Sequence, residues 1–307
     1  MDLVVFRPEE LPFALGALRD VAASDGNISD GERALVEGVA RIHGTTVDFD
    51  RIESVAPERV ASAIQDPHRR KRLVQLAVVA ALAEGAPVPA RDAAVDALAK
   101  ALDVPDSGVS VIRKLSHGHT MFARFDVLRR LRKFTQNYDK SVSFAEIART
   151  LGITENLELA SRYRALADCP EGSFGRAFHS FYGEHGFALP GEKHGLNEDF
   201  VFHDAGHVLS GYGVDPQGEI QQASFQAGFI RNDGFLFLLF GILQFHVGIR
   251  LTPIAKPEEG LFDVDKVLRA VTRGAACKLD LSDHFDVFAW KDKPLEAMRA
   301  ELGIPPL

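Results

Sequence analysis

The stretch AASDGNISDGERALVEGVARIHG, running from Ala22 to Gly44, decides how the first third of the chain is read. One helical pattern stops at an acidic, glycine-containing turn and another starts at once. Upstream, Leu11, Leu15, Leu18 and Val21 keep a 3.6-residue period; downstream, Leu35, Val39 and Ile42 do the same. Ser29 stands three residues before Glu32, the spacing of a capping box in which each side chain meets the other's backbone N–H. The turn also invites a calcium reading, because Asp25, Asn27 and Ser29 match positions one, three and five of an EF-hand loop. Its sixth position is Asp30 rather than glycine, and its twelfth is Val36 rather than the bidentate glutamate. The capping box is the better reading.

A weaker copy follows at residues 80–103, AALAEGAPVPARDAAVDALAKALD. Each copy is a helix, an acidic-glycine turn, a short apolar link and a second helix. A single helical hairpin leaves its apolar face exposed, so two stacked hairpins predict a small bundle. Elsewhere helical spacing also prevails, and alternating runs of Val, Ile and Thr with Asn-Gly or Asp-Gly turns do not recur. The expected fold is all-α: a small N-terminal bundle over 1–112, then a mostly helical domain over 113–307. The boundary falls near residues 111–122, where Ser116, His117, Gly118 and His119 interrupt the pattern. The motif A-A-S-D-G-x-I-S-D-x-E at 22–32, with its second copy, resembles the tellurite-resistance TerB-like helical domain over roughly residues 10–110. That resemblance implies an acidic turn serving as a metal or partner surface. The second copy keeps Glu84 but has Pro89 and Ala90 in place of the later acids, which weakens a paired site.

The 307 residues are 46% apolar and 25% charged, which excludes a disordered chain and a coiled-coil rod. Lys and Arg number 35 against 43 Asp and Glu, so the net charge of -8 argues against a general nucleic-acid binder. Two cysteines, Cys169 and Cys277, form neither a disulfide framework nor a thiolate zinc pattern. MDLVVFRPEELPF at the start is too acidic for a signal peptide. The longest apolar run, Phe235 to Leu243, is far short of the ~20 residues a membrane span needs. These features predict a soluble, cytoplasmic protein, with a peripheral place on the inner membrane face as the alternative. That alternative comes from residues 113–140, where eight Lys or Arg stand against Asp126 and Asp139. In VLRRLRKF, residues 127–134, Val127, Leu128, Leu131 and Phe134 share one helical face. The segment is either a docking helix with a basic rim or a contact for anionic lipid headgroups. Ser143 and Glu146 form a second capping-box pattern, opening a helix through Ile147 that Gly152 ends.

The chemistry is concentrated further on. Seven of the eleven histidines lie between His179 and His284, and Phe202 to Glu219 reads F-H-D-A-G-H-V-L-S-G-Y-G-V-D-P-Q-G-E. His203 and His207, four apart, stand one helical turn from each other on the same face, so their imidazoles can converge on one ion. Asp204 is about 100° round the helix, placed to ligate at the edge or to orient a histidine. Gly211, Gly213, Asp215-Pro216 and Gly218 make a short return that brings Glu219 back towards the pair. Two imidazoles and one or two carboxylates suit a divalent transition metal and leave coordination positions free. Downstream, Phe235 to Leu243 is apolar all round, and Phe225 and Phe229 precede it at four-residue spacing. Phe225, Phe229, Leu236, Phe240 and Leu243 are read either as core or as the wall of an apolar pocket beside the metal.

These residues resemble the coenzyme Q (ubiquinone) biosynthesis family known as Coq-four. Its motif, H-D-x-x-H followed after eleven residues by E, matches His203, Asp204, His207 and Glu219. Matching segments flank it: C-P-E-G-S-F-G-R-A-F at 169–178 and V-F-A-W-K-D-K-P-L-E-A-M-R-A-E-L-G-I at 287–304. Ser173, Phe174 and Phe178 stand where the family usually has Thr, Leu and Tyr, and the bundle in front is not part of the ordinary member. The resemblance implies a helical fold and a divalent metal, zinc or alternatively iron, held by those four residues. It implies a prenylated aromatic or isoprenoid lipid as ligand and other quinone-biosynthesis proteins as membrane-bound partners; peripheral contact with anionic membrane and a homo-oligomer are expected beside it. It implies replacement of the ring carboxylate by a hydroxyl, an oxidative decarboxylation at the first ring carbon, whose hydroxylation needs dioxygen and electrons. Two rival readings stand beside it. One is a lipid-holding scaffold with a structural metal. The other is a metal-dependent phosphohydrolase drawing further ligands from His246, His284, Asp280 or Asp283.

Overall fold

Proline and short polar caps start most of the helices. In the computed structural model, which describes residues 1–105, 107–121, 123, 127, 155–251, 255–283 and 285–307, the first part holds α1 (Leu11–Ala22), α2 (Asp30–Ile42), α3 (Pro57–Ala63), α4 (Pro67–Leu82), α5 (Pro89–Ala101) and α6 (Ser107–Ser116). The second part holds α7 (Leu157–Arg164), α8 (Phe174–His185), α9 (Val201–Ser210), α10 (Pro216–Phe229), α11 (Phe235–Phe245), α12 (Val264–Ala276), α13 (Val287–Trp290) and α14 (Leu295–Leu302). Two isolated bridges, Ser173 with Pro294 and Val247 with Glu259, are the β-type pairings among the described residues. The protein is all-α, as the periodicity predicts. No helix among the described residues is long and apolar enough to cross a membrane.

The capping box forms as read: Ser29 Oγ accepts the Glu32 N–H at 3.2 Å, and the Ser29 N–H donates to the Glu32 carboxylate at 2.8 Å. Asp25, which the EF-hand reading would make the first ligand, is paired within the chain. Its carboxylate, with those of Glu32 and Glu84, surrounds Arg91 at 3.0, 2.9 and 3.0 Å. The acidic turns of both repeats thus meet on one guanidinium, itself only 3% exposed. Burial pushes the Glu32 carboxyl up, against the opposing pull of Ser29 and Arg91.

α4 is the centre of the first bundle. Every residue from Leu73 to Leu82 is buried, and α1, α2, α5 and α6 pack around it. The apolar core continues from there into α10, α11 and α12, through Ile220, Leu236, Leu239, Leu243, Val267 and Leu268. Residue 112 lies inside α6, and the helix ends after Ser116, with Gly118 at φ 74°. A second, aromatic cluster joins Tyr163, Phe174, Phe178, Tyr182, Phe225 and Phe229. Both cysteines are free and buried. Of the basic segment 127–134 only Val127 is described; the expected capping box at Ser143 and Glu146, and its helix to Gly152, lie outside the described residues.

α10 and α12 approach closely because glycines face each other: a Cβ on Gly274 would collide with the Phe225 carbonyl, and one on Gly228 with that of Val271. Gly183 in α8 has nothing within 4 Å of the same position. Gly274→Ala is therefore expected to cost about 3 kcal/mol, whereas Gly183→Ala gains up to about 1 kcal/mol of helix propensity. Denaturant melts of the two variants check the contrast.

Candidate metal centre

α9 carries His203 and His207 on one face and stops at Gly211, which takes φ 80°. The return is tight because a Cβ on Gly218 would strike the Gly213 carbonyl. Asp215 then caps α10, its Oδ1 accepting the N–H groups of Gln217 and Gly218 at 3.1 and 3.2 Å, with Pro216 in the first turn. A second clamp fixes the two helices against each other. Fully buried Gln222 donates its Nε2 to the His203 carbonyl at 3.1 Å, and its Oε1 accepts the Ser210 hydroxyl at 3.0 Å. Gly206 leaves room for it, since a Cβ there would collide with Nε2. Glu219, one turn earlier on α10, arrives over the histidine pair.

His203 Nε2 and His207 Nε2 are 3.2 Å apart. Glu219 Oε2 lies 3.5 Å from the first and Oε1 3.6 Å from the second. The other ring nitrogens are held from behind. His207 Nδ1 is 3.0 Å from the Tyr212 carbonyl, which can only accept, so Nδ1 carries the proton. His203 Nδ1 is 3.1 Å from Gln226 Oε1. In the neutral rings both Nε2 lone pairs therefore point into the cluster. Among the described residues, His203, His207 and Glu219 form the group whose donor atoms fit one ion. Two imidazoles and a carboxylate fit zinc or ferrous iron and leave positions open to solvent or substrate. The His207 side chain is 1% exposed, those of His203 and Glu219 30% and 21%, so the group is closed behind and open in front.

Burial by itself would lower His203, but the hydrogen bond and charge of Glu219 override it and raise the ring to about 9. His207, lowered by burial and then by the His203 charge, falls to about 4. Burial pushes Glu219 up, yet its bond and charge pairing with His203 hold it below the usual carboxylate range. Without an ion, the group at neutral pH therefore carries its proton on His203.

Asp204 stands outside this cluster. Its buried carboxylate accepts the Tyr182 hydroxyl and ties α9 to α8. Burial raises Asp204, against the His203 charge and the Tyr182 bond, and raises the Tyr182 phenol well above its ordinary range. Gln226 and the Tyr212 carbonyl orient the two rings in its place. Sequence reasoning missed both, although Gln222 and Gln226 follow Glu219 at spacings of three and four on one face of the helix. It also missed an aromatic shelf: Phe181 stacks on His207 at 5.5 Å between centroids, His185 meets Phe181 edge-on at 4.8 Å, and Phe187 beside them is 45% exposed.

Phe225, Phe229, Leu236 and Leu243 are completely buried in the two apolar clusters, and Phe240 is half-buried against the first. Protein atoms fill the space a ligand tail would need, so these side chains act here as core. His246 Nε2 faces the Leu82 carbonyl at 3.0 Å, and Asp280 accepts the Arg231 N–H at 2.7 Å. Neither they nor Asp283 join the cluster; His284 lies outside the described residues.

The three family-like segments assemble into one unit. The Phe174 N–H donates to the Lys293 carbonyl at 2.8 Å, and the Leu295 N–H to that of Gly172 at 2.9 Å. Arg299 donates to the carbonyls of Leu209 and Val208, at the end of α9, at 2.9 and 2.8 Å. Compared with known proteins, the chain matches no family model and no curated protein.

Binding an ion at Nε2 must expel the His203 proton. Calorimetry in buffers of different ionisation enthalpy is expected to show about one proton released per zinc ion at pH 7. Affinity should rise about tenfold per pH unit and level off above pH 9, the value to which Glu219 raises His203. Gln226→Ala, which frees His203 Nδ1, should weaken zinc about 10- to 100-fold in a chelator competition.

Proposed function

We propose that His203, His207 and Glu219 hold a divalent transition metal, and that the protein uses it on a prenylated aromatic acid of polyprenyl quinone synthesis, removing the ring carboxylate. One observation carries the reading: two Nε2 nitrogens and a carboxylate converge within 3.6 Å, each ring fixed from behind. The likeness of residues 169–178, 203–219 and 287–304 to the Coq-four family supports the choice of substrate, and their assembly round one helix suits a shared task.

A divalent ion there supplies Lewis-acid polarisation of a substrate oxygen and charge stabilisation at the departing carboxylate. The chain does the positioning. Gln226 and the Tyr212 carbonyl aim the rings, and Phe181, stacked on His207, covers one face of that ring and keeps water from it. The bond between ring carbon and carboxylate breaks, carbon dioxide leaves, and the electron pair left on the ring takes a proton from water. Membrane association belongs to the same proposal, since the tail of such a substrate partitions into lipid.

Full-length protein loaded with zinc or ferrous iron, and given a prenylated 4-hydroxybenzoate, should release carbon dioxide. Glu219→Gln should lower the rate at least about 100-fold while circular dichroism and melting temperature stay near those of the parent. Absence of carbon dioxide with either metal would remove the enzymatic reading. A metal whose loss unfolds the chain, with substrate bound but unchanged, would favour the scaffold.

A further inference from the structure

A second concave site, of about 580 Å³, opens between α2 and α12, and none of the metal-centre residues lines it. Its apolar surface comes from Ile42, Leu268 and Pro305, its charge from Arg41, Arg269 and Arg273. Arg41 is engaged by Asp265 at 2.5 Å. Arg273 is only 6% exposed. It is held rigidly: Nε and Nη2 donate to the Pro305 carbonyl at 3.0 and 2.9 Å, and Nη2 also to that of Ser210 at 3.0 Å. Its Nη1 is buried and has no acceptor among the described residues, and the guanidinium lies over the Tyr212 ring at 5.0 Å. Exposed Arg269 has neither an ion pair nor a hydrogen bond among them. Three guanidiniums against one carboxylate leave a surplus of two positive charges, in a chain whose net charge is -8.

We propose that this cavity binds a soluble phosphate monoester with a short apolar body. A monoester carries about -1.5 to -2 at pH 7, which matches the surplus, and guanidinium forks fit its oxygens. The phosphate is held by Arg269 and Arg41, with the buried charge of Arg273 nearby. The apolar body lies over Ile42 and Leu268, removing their exposed surface from water. Arg273 contributes fixed positive charge without touching the ligand, and exposed Arg269 supplies the adaptable hydrogen bonds. A rigid charge loses little freedom on binding.

The test is calorimetry with hexyl phosphate, inorganic phosphate and hexanol on the full chain. Hexyl phosphate should bind saturably and about tenfold tighter than inorganic phosphate, and hexanol should not bind. Arg269→Gln, which removes an exposed side chain and leaves the fold intact, should weaken hexyl phosphate about tenfold, and adding Arg41→Gln should weaken it further. Glu219→Gln should leave it unchanged, which separates this cavity from capture at the metal centre. The proposal is overturned by undetectable binding at millimolar ester, by arginine variants that bind as the parent does, or by loss of binding in Glu219→Gln. Capture of phosphatidate vesicles that hexyl phosphate does not compete away would overturn it as well.

Discussion

The five-residue reversal between α9 and α10 sets the distance on which the metal centre depends. Helices joined by a longer or looser link would still be antiparallel, but Glu219 would not be held within reach of two imidazoles. Backbone crowding at Gly213 and Gly218 closes the turn, the Asp215 cap fixes where α10 starts, and Gln222 locks the register between the helices. Glu219, Gln222 and Gln226 then fall on one face of α10, at spacings of three and four residues. One supplies a donor atom, one clamps the neighbouring helix, and one orients a ring.

The far end of α9 is held by residues remote in sequence. A helix end leaves carbonyls without intrahelical partners, and cations are favoured there. Arg299 takes the carbonyls of Val208 and Leu209, and Arg273 takes that of Ser210. On the other side, the Tyr182 hydroxyl reaches the Asp204 carboxylate. The histidine helix is thus restrained at three points, so the rings need not be ordered when an ion arrives. Preorganisation of this kind requires a packed scaffold rather than a loop.

In the first bundle, Arg91 plays the integrating part. A buried guanidinium is tolerable only when its charge is met, and Asp25, Glu32 and Glu84 meet it from both copies of the repeat. The acidic turns that suggested a cation site therefore enclose a cation that is part of the chain. The bundle is also joined to the second half by shared apolar packing, with Leu268 of α12 lying where a Cβ on Gly38 of α2 would go.

Helix periodicity, the Ser29–Glu32 capping box and the pairing of His203 with His207 were legible in the sequence because each is local, spanning about one helical turn. The approach of Glu219 was legible too, because a glycine-rich return of a few residues leaves the chain little else to do. What lay beyond reach was everything set by contacts between distant segments. Asp204 and Gln226 look equally eligible as partners of a histidine until the rotation of α9 against α8 and α10 is known. The apolar run Phe235 to Leu243 suits a pocket wall or a core helix equally well in sequence. Only packing decided that its side chains meet protein atoms, because close-packed surroundings on every side are a property of the assembled helices and not of any one of them.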